Sequence, residues 1–288
     1  MPDAPAPDRA ASTGADDEIA LQVEGGLALL RIRRAGRRNA LHWPLWQQLG
    51  ARLDELAGLC APTGPIRAVI LTGDGPHFCA GMDLKPDNPL VHRILPAIVD
   101  GDADAARGVI LELKAITRKL LDLPVPTLAA IEGVAAGGGY ELALHCDVIV
   151  ASTEARVGLP EVRVGMVPDV GGTTLLSRRI GPGRAALVIT PGRIFPAPQA
   201  LALGMVDLLC APGTALTEAR VLAAEIALGG PHAVGAALAA LRQVGELPLT
   251  HAFAVETEAG VSALTSGEPR EGTLAFAEHR PPRWDGPA

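Results

Sequence analysis

The chain has 288 residues, of which 48% are hydrophobic and only 3% are aromatic, so Ala, Leu, Val and Ile must fill most of its core. A formal net charge of −7 argues against a general nucleic-acid binder, because neutralising phosphates requires a basic face. We find no apolar run long enough to span a membrane and no signal-peptide core, so we expect a cytoplasmic protein.

The first part of the chain predicts a tail followed by the start of an α/β fold. Residues 1–16 are rich in Pro, Ala and Asp and lack periodicity, which predicts a disordered tail. Two apolar segments flank residues 24–26 and predict a β-hairpin that begins near Ile19. Pro44 is followed by leucines at helical spacing, which predicts a helix, and the apolar run 68–72 predicts a buried strand.

A second unit of the same kind follows, with helices and strands predicted over residues 106–122, 127–131, 140–145 and 148–150. Strands that alternate with helices predict an α/β core. From about Thr214 to Ala277 the sequence is rich in Ala and Leu at helical spacing and contains no convincing strand. We therefore divide the chain into a core over residues 17–212 and a helical region over residues 213–288.

Several common kinds of catalytic or binding motif are absent from the sequence. It contains no G-x-S-x-G nucleophile elbow, no Gly-Lys-Ser/Thr phosphate loop and no H-E-x-x-H metal motif. The four cysteines form no CxxC pair, which favours reduced thiols without a disulfide framework. We therefore predict neither a metal site nor a redox site.

Two glycine-bearing turns come directly after predicted strands. Gly81 lies beyond the strand at 68–72, and Gly137-Gly138-Gly139 lies beyond the strand at 127–131. The second turn opens a helix, where unpaired N–H groups favour negative charge. Together the two turns could direct N–H donors at one developing oxyanion, although the glycines alone are better interpreted as tight packing turns.

Three carboxylates follow these turns. Glu141 lies in the first turn of its predicted helix, Glu161 in a segment of small and apolar residues, and Asp169 just before another apparent helix start. Taken singly, Glu141 and Asp169 could be helix N-terminal charges and Glu161 a solvated loop residue. The alternative is that the three carboxylates form a cluster of catalytic acids and bases. The sequence pattern alone supports this interpretation and the structural one about equally.

The sequence as a whole resembles the crotonase superfamily, that is, the enoyl-CoA hydratase/isomerase family. The resemblance is carried by ordered motifs that cover nearly everything from about residue 19 onward: Arg38-Asn39-Ala40-Leu41, AVILTGDGPHFCAGMDL from Ala68, IEGVAAGGGYELALHCDVIV from Ile131, VGLPEVRVGMVPDVGGTTLLSRRIG from Val157, and EGTLAFAEHRPPRW from Glu271. It implies a spiral of ββα units with a C-terminal helical oligomerisation region. It also implies homotrimers, or hexamers made as dimers of trimers, and acyl-CoA substrates without any cofactor beyond the coenzyme A of the substrate.

The resemblance also implies roles for individual residues. The N–H groups of Met82 and Gly138 would hold the thioester oxygen, and Glu141 and Glu161 match the two glutamates of the hydratases. Further substrate or CoA contacts are implied at Arg38, Ala40, Ala80, Gly81, Asp83, Leu84, Gly137, Phe276 and Arg280. Ala80 would lie near the adenine, and Arg280 lies in the neighbourhood where the family often carries a lysine that meets a CoA phosphate.

Four functions fit this resemblance. Hydration of a 2-enoyl-CoA is favoured by Glu141 together with Glu161. The alternative is a dienoyl-CoA (Δ3,5-Δ2,4) or other enoyl-CoA isomerase that uses Glu161 and Asp169. Thioester hydrolysis is less favoured, because the resemblance implies a glycine in the hydrolases at the position of Glu141. The last alternative is a CoA- or RNA-binding protein without useful turnover. For Asp169 itself, capping of the following helix or polar support is favoured over catalysis.

Overall fold

The structure is a computed structural model that describes residues 17–60, 64–245 and 247–284. The tail predicted over residues 1–16 lies outside these ranges, as does the very end of the predicted helical region. The strands are β1 (Ile19–Glu24), β2 (Leu27–Ile32), β3 (Ala68–Gly73), β4 (Thr127–Ile131), β5 (Val134–Ala136), β6 (Val148–Ser152), β7 (Arg156–Gly158), β8 (Ile194–Pro196) and β9 (Leu208–Cys210). The α-helices are α1 (Trp43–Leu59), α2 (Pro89–Asp100), α3 (Ala103–Leu121), α4 (Gly138–Leu144), α5 (Gly172–Ile180), α6 (Pro182–Ile189), α7 (Ala197–Leu203), α8 (Ala215–Ile226), α9 (Pro231–Val244), α10 (Leu249–Thr265) and α11 (Glu268–Ala277).

The main sheet has six strands in the order β1-β2-β3-β4-β6-β9. Strands β1 and β2 form the predicted antiparallel hairpin, and every other neighbouring pair is parallel. All residues of β4, and all but the last of β3, are buried, as expected for parallel strands that are covered on both faces. One face packs against small side chains of α8, and the other carries the larger core cluster, to which α1 and α3 contribute.

A second, three-stranded sheet has the order β5-β7-β8. It is tied to the chain that follows β3, because Cys79 and Ala135 form an isolated parallel bridge. The N–H of Phe78 donates to the carbonyl of Glu132, and that of Cys79 to the carbonyl of Val134. The chain beyond β3 is therefore clamped beside β5, which leads directly into α4.

Helix α1 shows how the leucine pattern is used. Pro44 lies in its first turn, and Leu45, Leu49, Leu53 and Leu56 are all buried along one face. Burying each such side chain contributes roughly 1.5–3 kcal/mol relative to leaving it exposed. This face joins the core cluster that also includes the buried side of α3.

The C-terminal helices are fastened to the core by one arginine of α9. The guanidinium of Arg242 donates to both carboxylate oxygens of Asp147, at 2.9 and 2.7 Å, and also to the carbonyls of Leu121 and Leu123. In the described ranges no single helix is long and apolar enough to cross a membrane. The bent pair formed by α8 and α9 passes that test by length and composition only.

Helix α2 was not predicted from the sequence, and it contains both Pro89 and Pro96. Pro89 lies in the first turn, where its missing N–H costs nothing, and the Asn88 side chain caps the helix by accepting from the Leu90 N–H. Pro96 lies inside the helix, and Gly101 closes it in a left-handed conformation. Two well-formed ends therefore outweigh one internal proline.

Candidate active site

The first wall of the site is the segment 80–83, which runs beside residues 38–41. The N–H of Ala80 donates to the carbonyl of Arg38, that of Leu41 to Gly81, and that of Asp83 to Leu41, at 2.8–2.9 Å. Gly81 has a φ of +96° and comes so close to Ala136 that a Cβ there would lie 2.6 Å from that carbonyl oxygen. Within the described part of the chain these bonds leave the Met82 N–H without an acceptor.

The second wall is the start of α4. Gly137 has a φ of +53° and precedes Gly138, whose N–H belongs to the first turn and has no intrahelical acceptor. A Cβ on Gly139 would lie 2.3 Å from the carbonyl oxygen of Cys79, so only glycine permits this approach. A Cβ placed on Gly138 would lie 3.9 Å from the Met82 nitrogen. The two predicted N–H donors are therefore side by side.

Glu141 projects from α4 towards the start of α5. Its side chain is buried, and its Oε1 accepts hydrogen bonds from the N–H groups of Val170 and Gly172, at 2.9 and 2.8 Å. Burial raises the pKa of Glu141 to about 8, although the Gly172 N–H opposes that shift. One oxygen is thus fixed to the backbone, and Oε2 lies on the Gly138 side.

Glu161 begins a short 3-10 helix over Glu161–Val164. Both of its carboxylate oxygens are buried and accept no hydrogen bond from any other described residue. A Cβ on Gly137 would lie 3.2 Å from Glu161 Oε1, so this carboxylate stands beside the second wall. Burial raises its pKa to about 7, and the charge of Asp169 adds to that shift.

Asp169 is a half-buried neighbour of both glutamates. Burial raises its pKa, the positive charge of Lys114 lowers it, and its own negative charge raises the pKa of Glu141 and of Glu161. Of the two structural roles predicted for this residue, capping of the following helix is wrong, and polar support stays a prediction. Helix α5 has Gly171 as its N-cap without a side-chain capping bond, and Glu141 accepts from the N–H groups at that end.

The sequence profile described as "Enoyl-CoA hydratase/isomerase" matches residues 22–287. The chain belongs to the enoyl-CoA hydratase/isomerase family. It is therefore an enzyme, and its fold is the crotonase fold.

Relatives agree in sequence and in structure. The chain is 33% identical to human mitochondrial methylglutaconyl-CoA hydratase, over 98% of this chain and 82% of that protein. It is 33% identical to 2,3-dehydroadipyl-CoA hydratase of Escherichia coli, over 93% of this chain and 99% of that one. The crystal structure of an enoyl-CoA hydratase from Bacillus anthracis superposes with a TM-score of 0.84 at 30% identity, covering 94% of this chain and 100% of that one.

The other contacts implied by the family resemblance divide into two groups. Ala80 belongs to the first wall, and Arg38 and Ala40 lie beside it, with Arg38 exposed in a left-handed conformation. Leu84 follows that wall and is exposed. The carboxylate of Asp83 is buried and accepts from Arg34 and from the Lys85 N–H, so it braces the loop.

Phe276 lies on α11 and Arg280 just after it, and no side-chain hydrogen bond or ion pair of the described residues joins Arg280 to the two walls. Phe276 is 83% exposed on α11. In the described part of the chain, the side-chain ion pairs of Arg280 are with Glu271 and Glu278. Their assignment as substrate contacts stays a prediction.

Sequence reasoning missed the residues that hold the glutamates and the turns. The N–H groups of Val170 and Gly172 fix Glu141, and a Cβ on Gly172 would lie 2.9 Å from Glu141 Oε1. His145 lies behind them, with its Nδ1 2.7 Å from the Glu141 carbonyl oxygen, and burial lowers its pKa to about 4, so it stays neutral. The adjacent glycines at 171–172 were the available signal for this close approach.

The electrostatics of the two glutamates suit proton transfer in both directions. With pKa values raised to about 8 and about 7, the pair holds one proton and one negative charge between those two values. A single site thus contains an acid and a base near neutral pH, next to two N–H donors that can stabilise an oxyanion.

Proposed function

We propose that the enzyme is an enoyl-CoA hydratase that adds water across the double bond of a 2-enoyl-CoA. The observation that carries this proposal is the pair of unpartnered, buried oxygens of Glu161, which lie beside Glu141 and the two free N–H groups. Buried polar atoms normally have partners, so these carboxylate oxygens suit proton exchange with a bound water molecule or a substrate carbon. The hydratase names of the relatives at 33% identity support the same reaction.

The reaction is balanced by the groups present. The carboxylate of the pair takes a proton from water as the water oxygen bonds to C3, and the C2=C3 π electrons move towards the thioester oxygen. The N–H groups of Met82 and Gly138 stabilise the resulting negative charge, and loss of one such donor typically costs about 3–4 kcal/mol. The protonated carboxyl of the pair then delivers its proton to C2. The pair has thus gained one proton from water and given one proton to the product.

The test is incubation with crotonyl-CoA. Hydration consumes the absorbance of the enoyl thioester and releases no free thiol. Release of free thiol at the same rate would instead identify a hydrolase. If the absorbance does not fall and no thiol appears, the proposal is overturned. Coenzyme A is part of the substrate in this proposal, and the reaction uses no other cofactor.

Isomerisation of a 3,5-dienoyl-CoA is the second candidate, and Asp169 favours it. Its carboxylate is not used to cap α5, and its charge reaches both glutamates. We expect Asp169→Asn to keep most hydration of crotonyl-CoA. If the wild type isomerises a 3,5-dienoyl-CoA well and Asp169→Asn loses that activity, the isomerase replaces the hydratase.

We also propose that the enzyme assembles through its C-terminal helices as a trimer or a dimer of trimers. Helix α10 has no buried residue within the single chain, and Phe276 on α11 is almost fully exposed. Apolar helices of this length rarely remain solvated.

A further inference from the structure

Asn39 lies behind the first wall of the site and is fully buried. Its Oδ1 accepts from the Arg34 N–H at 2.9 Å, and its Nδ2 donates to the carbonyls of Asp74 and His77, at 2.9 and 2.7 Å. A Cβ on Gly73 would lie 2.5 Å from that Nδ2, so the glycine leaves the space that the amide occupies. Every hydrogen of the amide is thus used inside the protein.

The backbone at Asn39 is also unusual. Arg38 and Asn39 have φ values of +52° and +56°, which place two successive non-glycine residues in the left-handed region. Such residues are held there only by their surroundings, and Asn tolerates this conformation better than most. The three side-chain bonds of Asn39 add to the restraint of the backbone, in which the Asn39 N–H donates to the Arg34 carbonyl at 3.0 Å. They fix the turn from which residues 40 and 41 start.

This turn is connected to the oxyanion-binding segment through a thiol and through the backbone. The Cys79 Sγ donates to the Asn39 carbonyl at 3.0 Å and accepts from the Gly81 N–H at 3.4 Å. Burial raises the pKa of Cys79 to about 12, so the thiol keeps its hydrogen and can donate. Leu41 then hydrogen-bonds on both sides of Met82, to the Gly81 carbonyl and the Asp83 N–H.

We propose that Asn39 is a positioning residue that sets the direction of the Met82 N–H group. This inference rests on the proposed function, in which that N–H stabilises the thioester oxygen. The opposite side of the segment is held independently by β5, through the Cys79 N–H and the Val134 carbonyl. Loss of the Asn39 bonds should therefore release one side of the segment and misdirect the donor without dismantling the sheet.

The test is Asn39→Asp, which preserves size and the Oδ1 acceptor. It removes both Nδ2 hydrogens and places an oxygen against the carbonyls of Asp74 and His77. The matched control is Thr127→Val, which removes the buried hydroxyl that bonds Asp147 at the end of β4 remote from the site. Both variants should lower the melting temperature, because each loses buried hydrogen bonds.

Catalysis should separate the two variants. We expect Asn39→Asp to lower kcat on crotonyl-CoA by about tenfold or more, with KM changed by less than about threefold, since a misplaced donor weakens the transition state more than substrate binding. Thr127→Val should keep wild-type kcat. Bound 4-(dimethylamino)cinnamoyl-CoA reports the donor directly, because hydrogen bonds to its thioester oxygen shift its absorption to longer wavelength. That shift should shrink in Asn39→Asp and stay unchanged in Thr127→Val.

The possible outcomes are distinct. If Asn39→Asp loses thermal stability as Thr127→Val does but keeps both kcat and the absorption shift, the positioning role is refuted. If the wild type shifts the chromophore but does not hydrate crotonyl-CoA, the hydratase proposal fails, and a smaller shift in Asn39→Asp still supports the role of Asn39. Should Asn39→Asp not fold, Asn39→Gly keeps the left-handed turn without the three side-chain bonds and is judged by the same shift.

Discussion

Glu141 and Glu161 differ in how their oxygens are held. Glu141 has one oxygen fixed by two backbone N–H groups, and Glu161 has both oxygens buried and unpartnered. We expect Glu141→Gln and Glu161→Gln each to reduce hydration of crotonyl-CoA at least about a hundredfold, the usual scale for a positioned acid or base. Gln keeps the shape and the acceptor oxygen, so acyl-CoA binding should persist in a titration.

Glu154→Gln is the matched control, since Glu154 is an exposed carboxylate in the turn after β6. It should retain wild-type turnover. Near-normal turnover of either active-site variant would remove that glutamate from the mechanism.

The raised pKa values of the two glutamates set an expected pH profile. As the pH falls through about 7 the pair becomes doubly protonated and progressively loses its base, and as it rises through about 8 the pair becomes doubly ionised and progressively loses its acid. The kcat/KM for crotonyl-CoA should therefore be bell-shaped, with its maximum between these values and a decline on each side. Initial rates measured from about pH 5.5 to about pH 10 would show it. A profile that stays level across the whole range is incompatible with the shared proton.

At the scale of elements, the contact between α4 and α5 depends on a glycine. A Cβ on Gly172 would lie 2.7 Å from the Cβ of Pro168 and 2.9 Å from Glu141 Oε1. We expect Gly172→Ala to displace Glu141 and to lower turnover by about tenfold or more, because small displacements of a catalytic group are costly. Gly183→Ala, in the first turn of α6 with open space around it, is the control and should keep full activity in the same assay. Equal turnover of the two variants would contradict the tight fit at Gly172.

The sequence predicts the longer elements of the fold but not the short strands or the contact between α4 and α5. The helices α1 and α3 follow from apolar periodicity, the hairpin and the strands β3, β4 and β6 follow from short apolar runs, and the structure confirms all of them. The strands β5, β7 and β8 have three residues each, too few for a periodic signal. Local capping rules favoured Asp169 at the start of α5. The acceptor there is Glu141, whose contact with Val170 spans 29 residues and requires the packing of two helices.

At the scale of the whole molecule, α10 presents an apolar face that the single chain does not cover. Leu249, Phe253, Val261 and Leu264 lie within about 120° of its circumference at 100° per residue, and Phe253 and Leu264 are 57% and 73% exposed. Covering such a face with a second copy removes apolar surface from water, which favours association. We expect light scattering to give three or six times the chain mass of 29.6 kDa, and Phe253→Glu to lower it. Leu187→Glu, at a site on α6 with 58% exposure, is the matched control and should leave the mass unchanged. A wild-type mass equal to one chain at working concentration would refute assembly through these helices.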